Sequence, residues 1–175
     1  YNADGYVRGY RGSDTDISSK KRIEMFRDVL YNITKSSFGF QSIEFYLTEV
    51  REQLSKVIDT TNFFVALYDK ERDMLQKMIY IDEKDYFTEW KADESLSGLI
   101  VIEGRPRIFY KEEDQEYADQ LGFTFGTPAE CWLGVPLIAE EERIGVLVVQ
   151  SYTDPDAYDE MSVKLLEMVA HELSL

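Results

Sequence analysis

The order of patterns along this chain predicts an α+β fold, with helices segregated against one antiparallel sheet. Three observations carry that expectation. Apolar residues recur at helical spacing near the start and again at the end. Between these stretches lie two pairs of dense apolar runs, each pair joined by a charged turn. A hydrophobic share of 44% in 175 residues is enough for a real core and excludes wholesale disorder.

Tyr1 to Gly12 alternates aromatic, Gly and Arg residues, and reads as the last strand of something that begins upstream. Asp14-Thr15-Asp16-Ile17-Ser18 punctuates it. From Ser18 to about Ser36, the spacing of Ile23, Phe26, Leu30 and Ile33 is that of a helical stripe. Ser36-Ser37-Phe38-Gly39 breaks the run, because Gly and Ser weaken helix. Ile43, Leu47, Val50, Leu54 and Val57 then form a second stripe, whose rhythm suits helix-on-helix packing within the fold or across a dimer.

Composition then switches to strand. Asn62 to Tyr68 is apolar on both faces, as a central strand requires. The charged turn Asp69 to Asp73 returns it through Met74 to Ile81 as a hairpin. Asp82 to Glu94 is acidic and aromatic without a period, and reads as a loop. Ser95 to Gly104 reads as a short helix stopped by Gly104, with Pro106 beyond it. Ile108-Phe109-Tyr110 suits a short strand, and Glu112 to Leu121 a short acidic helix ended at Gly122. Cys131 to Ile138 and Ile144 to Gln150 form a second hairpin around Glu140, Glu141 and Glu142. Pro136 has no N–H, so it belongs at a bulge or an unpaired position. Asp159 can N-cap a closing helix with Val163, Leu166, Val169, Ala170 and Leu173 on one stripe.

Charge and rare residues narrow the function. Lys and Arg total 19 against 34 Asp and Glu, a net charge of −15 that repels phosphate backbones and anionic lipid, so neither nucleic acid nor a membrane surface is expected as a partner. One cysteine (Cys131) and one histidine (His171) exclude a disulfide framework and a Cys/His-only zinc site. Any Ser-His-Asp triad would have to use His171. No apolar window is long enough to span a membrane, and no secretory signal is visible. Together with the opening on Tyr1, these features lead us to expect a cytoplasmic piece of a longer protein.

Three segments then carry a resemblance to a known family. They are Asn62-Phe63-Phe64-Val65-Ala66-Leu67-Tyr68-Asp69, the run Ser95-Leu96-Ser97-Gly98-Leu99-Ile100-Val101-Ile102-Glu103-Gly104-Arg105-Pro106, and Gly126-Thr127-Pro128-Ala129-Glu130-Cys131-Trp132-Leu133-Gly134-Val135-Pro136-Leu137. Together with Ile144 to Ser151 and the Asp154 to Tyr158 turn, they resemble a GAF domain of bacterial signalling proteins, over Ile43 to Leu173. The opening Gly9 to Ser18 is similar to the exit of a PAS domain, a final strand followed by an Asp-Ile-Ser link into a signalling helix. The resemblance divides the chain into a PAS tail (1–17), a connecting helix (18–41) and a GAF domain (42–175), within a parent of the sensor histidine kinase type.

The resemblance implies a twisted antiparallel sheet with the N- and C-terminal helices packed on one face, commonly across a parallel dimer, and a small-molecule pocket on the other. Alternation in the first strand agrees: Phe63, Val65 and Leu67 suit the helices, while Phe64, Ala66 and Tyr68 face the other way. We therefore nominate Phe64, Ala66, Tyr68, Met78, Tyr80, Tyr110 and Trp132 as pocket residues, since aromatic walls around a small floor are usual small-ligand chemistry. The same residues could instead fill a collapsed pocket, leaving a structural dimerisation and spacer module. The cofactor, if any, is unknown.

The remaining chemical features read as structural. His171-Glu172-Leu173-Ser174 lacks the Arg and Pro that follow the phospho-acceptor histidine of a kinase, and reads as an exposed helix position. Cys131 is followed by Trp132, whereas bilin-carrying GAF domains pair their cysteine with a histidine. GAF-type methionine sulfoxide reductases use several cysteines, and the Asn-Lys-Phe-Asp-Glu signature of cyclic-nucleotide GAF domains is missing. Asp154, Asp156 and Asp159, and likewise Asp82, Glu83 and Asp85, lack a metal-ligand spacing and read as solvated surface. The expectation is a non-catalytic sensory module with no metal site.

Overall fold

The computed structural model describes residues 13–36, 42–122 and 126–174. The strand expected over Tyr1 to Gly12 lies outside the described residues. Within them the elements are α1 (Ser13–Ser36), α2 (Ile43–Leu54), β1 (Asn62–Asp69), β2 (Met74–Ile81), β3 (Glu89–Lys91), α3 (Leu96–Glu103), β4 (Arg107–Tyr110), α4 (Lys111–Leu121), β5 (Cys131–Ala139), β6 (Glu142–Ser151) and α5 (Glu160–Leu173). The strands form one sheet in the order β3-β2-β1-β6-β5-β4, antiparallel at every pairing. The α+β architecture is therefore as expected, with one addition. A short edge strand, β3, lies inside the stretch that reads as a loop, because only Trp90 of its three residues is buried and no period can show.

Two cores flank the sheet. Phe63 and Val65 of β1, Leu147 and Val149 of β6, and Leu133 and Val135 of β5 join Phe26, Val29 and Ile33 of α1, Leu47, Val50 and Leu54 of α2, and Leu165, Leu166 and Val169 of α5. The opposite core holds Phe64 and Ala66, Val146 and Val148, Trp132, Trp90, and Ile100 and Val101 of α3. Each fully buried Leu, Val or Phe contributes about 1.5–3 kcal/mol, so β1 and β6 are anchored from both sides.

The helical stripes are rotated slightly from the sequence reading. In α1 the inward strip is Phe26, Val29 and Ile33, and Ile23 lies along its edge, 50% exposed. Ile43 at the start of α2 is likewise exposed, and Tyr46 is buried in its place. In α5, Asp159 caps the helix by accepting from the Ser162 N–H at 2.9 Å. The same carboxylate takes two bonds from Arg22, at 2.5 and 3.0 Å, which clip α1 to the start of α5. Pro136 stands beyond Gly134, the last residue of β5 that pairs with β4, and just before a register shift between Leu137 and Ile138.

The β5–β6 hairpin turns on Glu140 and Glu141, both at positive φ (49° and 69°), where Asn and Gly are the favoured residues. A left-handed L-residue costs ~1–2 kcal/mol, so the double variant Glu140→Asn, Glu141→Gly should raise stability by roughly 1 kcal/mol in urea unfolding. The Arg22 guanidinium, with the Ser162 donors, holds Asp159 at a pKa of about 2, down from 3.8. A depressed carboxyl pKa stabilises the fold above its unfolded value, and that contribution is lost as pH falls from 3.8 through about 2. Because Asp159 is half exposed, the clip is worth less than ~1 kcal/mol. Arg22→Ala should flatten part of the stability loss over that acid range, measured by urea midpoints at stepped pH.

Candidate functional site

The sheet face opposite the long helices carries two cross-strand rows that form the floor of a cavity. One row runs Asn62, Gln150, Trp132 and Phe109; the next runs Tyr80, Phe64, Val148 and Gly134. Trp132 and Gly134 are two residues apart on one strand and so share a face. A Cβ at Gly134 would sit 2.4 Å from the Trp132 six-membered ring and 3.0 Å from Ile100. The absent side chain lets the indole lie flat along β5 with α3 close above it. Aromatic packing continues toward β2: Phe64 stacks on Tyr80 with centroids 4.9 Å apart, and Trp90 meets both edge-on.

α3 is pinned at both ends over this floor. Ser95 caps it by accepting from the Gly98 N–H at 3.1 Å. The Trp90 indole N–H donates to Ser97 Oγ at 2.9 Å, and Ser97 Oγ donates to Ser95 Oγ at 3.2 Å. Gly98 allows the helix to approach the Ala92 backbone, whose carbonyl oxygen would stand 1.8 Å from any Cβ there. At the other end, the Arg143 guanidinium donates to the carbonyl of Ile102, satisfying part of the helix C-terminus.

One end of the cavity is polar. Asn62 donates to Glu83 and accepts from the Glu83 N–H, which fastens the segment after β2 to the sheet. Gln150 Nε2 donates to Asp82 at 2.5 Å and to the Tyr152 hydroxyl at 2.9 Å, and Tyr152 donates to Asp82 at 2.9 Å. Asp85 accepts the Thr127 N–H at 2.6 Å and the Thr127 hydroxyl at 3.2 Å. Asp82 and Asp85 are thus half-buried acceptors, which corrects their reading as solvated surface. Asp114 of α4 faces the same cavity. Burial pushes its carboxyl pKa up, opposed by a hydrogen bond from the Ala129 backbone. Burial, then the charges of Asp82 and Asp85, pushes the Tyr80 hydroxyl up as well.

The nominated residues divide. Phe64, Tyr80 and Trp132 line the cavity, together with Asp85, Ser95, Leu96, Ser97, Asp114, Gly126, Thr127 and Gln150. Ala66 and Tyr68 belong to the same layer but lie farther along it, with the Tyr68 hydroxyl donating to Asp73 at 2.8 Å. Met78 is on the opposite face, packed against the helix-side core. The reason is a bulge: Val65 pairs with Ile79 and Ala66 with Lys77, so Met78 is the extra residue and parity changes beyond it. Tyr110 is 43% exposed at the start of α4, and its neighbour Phe109 is the inward residue, edge-on to Trp132 at 5.8 Å. Pairing of Phe109 with Trp132 decides this, and no local pattern of so short a strand could.

The cavity itself is small, about 40 Å³, which is space for a few water-sized groups. Cys131 is fully buried in the helix-side core, on the face away from the cavity, and burial raises its thiol pKa. His171 is exposed on α5, as expected. Among the described residues, no three His, Cys, Asp or Glu side chains are grouped to hold a metal ion, and no helix is long and apolar enough to cross a membrane.

Comparison with known proteins gives a consistent result. The family profile described as GAF domain matches residues 41–175. No curated protein matches the chain significantly. The GAF domain of an Acinetobacter phosphoenolpyruvate-protein phosphotransferase superposes with a TM-score of 0.69 at 19% identity, covering 86% of this chain and 90% of that one. The A. aeolicus nlh2 GAF domain in an inactive state gives 0.63 at 17% identity, covering 87% and 95%. A free methionine-R-sulfoxide reductase from Neisseria meningitidis, in complex with its substrate, gives 0.67 at 18% identity, covering 85% and 86%. At these identities the likeness establishes the fold.

Gly134→Val should test whether the indole's position depends on the missing side chain. The variant is expected to lose the near-ultraviolet circular dichroism of Trp132 and ~1–3 kcal/mol of stability, the usual cost of overpacking. An unchanged spectrum would show that Trp132 is held by other contacts.

Proposed function

We infer that this chain, which belongs to the GAF domain family, is a sensory and signal-relay module of a multidomain signal-transduction protein. The parent proposed is a bacterial sensor histidine kinase in the cytoplasm, with a PAS domain upstream. One observation carries the reading. The cavity and the terminal helices occupy opposite faces of the same strands, so neighbouring residues such as Trp132 and Leu133 touch one layer each. A molecule held at the cavity can bias α1 and α5 only by binding one arrangement of that sheet better than another. A non-catalytic role is supported by Cys131, the single cysteine, lying on the helix side and not in the cavity.

The modest cavity favours a second reading, in which the module is a dimerising spacer whose pocket is filled by its own side chains. Both readings share a homodimer through the terminal helices, supported by exposed apolar residues on them, Ile23 and Met25 of α1 and Met168 of α5. Neither needs nucleic acid or a membrane surface.

Sedimentation of the chain at tens of micromolar tests the shared element. We expect a dimer, with Ile23→Glu plus Met168→Glu shifting it to monomer without loss of helical signal. A monomer for the unmodified chain would overturn the dimer.

A further inference from the structure

The cavity has an unbalanced lining. Asp85 and Asp114 face it and Asp82 stands behind Gln150, yet among the described residues no Lys or Arg forms an ion pair with any of them. Gln150 is 6% exposed and spends its amide N–H groups on Asp82 and Tyr152. Its carbonyl Oε1 accepts no hydrogen bond among the described residues, and Gln150 lines the cavity, so an acceptor is left open at the cavity wall. The serine hydroxyls offer no compensating donor, since Ser97 donates to Ser95, and Ser95 to the carbonyls of Lys91 and Ala92. Thr127 donates through both its N–H and its hydroxyl to Asp85. The donors that remain are the Trp132 indole N–H, the Tyr80 hydroxyl and the first-turn N–H groups of Leu96 and Ser97 in α3, none of which has a partner among the described residues.

An occupant complementary to the carboxylates of this lining carries positive charge and several N–H donors, together with an oxygen that accepts from the free donors. The rings of Phe64, Tyr80 and Trp132 complete an environment that favours an organic cation over a hydrated metal ion. Size limits it further: a water needs at least ~10–15 Å³ of such space, and the cavity has about 40 Å³. We propose that the cavity binds a compact primary ammonium compound of about four non-hydrogen atoms, carrying one hydroxyl or carbonyl oxygen. The ammonium protons go to Asp114, Asp85 and Gln150 Oε1, and the oxygen accepts from Trp132 or Tyr80. This assignment rests on the reading of the cavity as the sensory site.

Ethanolamine is the probe, with ethylene glycol and glycolate as neutral and anionic comparators of similar size. Ligands this small reach at best tens of micromolar affinity, so thermal unfolding of the full chain is followed into the millimolar range at constant ionic strength. Ethanolamine should raise the melting temperature to a plateau, and the comparators should not. Asp114→Asn keeps the volume and an acceptor for the Ala129 N–H, and should weaken ethanolamine at least about tenfold. Asp85→Asn provides the same test if that variant fails to fold. The assignment is overturned if ethanolamine gives no saturable shift, if either comparator matches it, or if the folded variant binds it unchanged. A comparator that binds would leave a small-molecule sensor standing with the wrong ligand class. Conversely, ethanolamine that binds through Asp114 while spin labels at Lys20 report no change between protomers would sink the relay reading and keep this one.

Discussion

Burial of the central strands on both faces is the constraint on which the rest of this structure depends. β1 and β6 are adjacent, and along both of them consecutive residues serve different cores. A strand apolar on both sides needs cover on both sides, because a bare face would leave Phe64, Val146 and Val148 in water. α1, α2 and α5 cover one face. The other is covered by α3, which is short and is held by Trp90, Ser97, Ser95 and Arg143 more than by its own length. The cavity lies where that lighter cover gives way to the polar segment after β2.

Two close approaches set its shape. Gly134 makes room for the Trp132 indole, and Gly98 makes room for α3 against the Ala92 backbone. Together they bring an aromatic floor and a helix N-terminus near one another. The polar end has a different origin. Asn62 and Gln150 sit opposite one another on the central strands, where apolar residues would be expected, and their amides gather Glu83 and Asp82 from the loop. These are polar residues in a core, and each is satisfied through named partners except at Gln150 Oε1.

The aromatic half of the site was legible in the sequence. Strict alternation in β1 put Phe64 on the face away from the helices, and the dense run at β5 marked Trp132. Tyr80 was legible because it lies before the bulge, counted back from the turn-distal end, and Met78 was not because the bulge inserts it. The acidic half had no local signal. Asp85, Asp114, Thr127 and Gln150 come from separate segments, and in each the residue looks like an ordinary surface polar position.

Short-range periodicity and turn chemistry set the kinds of element, their order, the antiparallel hairpins and the two-faced central strand. Composition also determined what the chain lacks, with a single cysteine and a single histidine limiting the chemistry available. Tertiary pairing and docking settled which way parity runs past Met78, that Phe109 and not Tyr110 faces Trp132, and that Asp85 and Asp114, from separate segments, line one cavity. The physical reason is common to all three. Register, bulges and loop docking are fixed by pairing between distant segments, and no pattern within either segment carries that information.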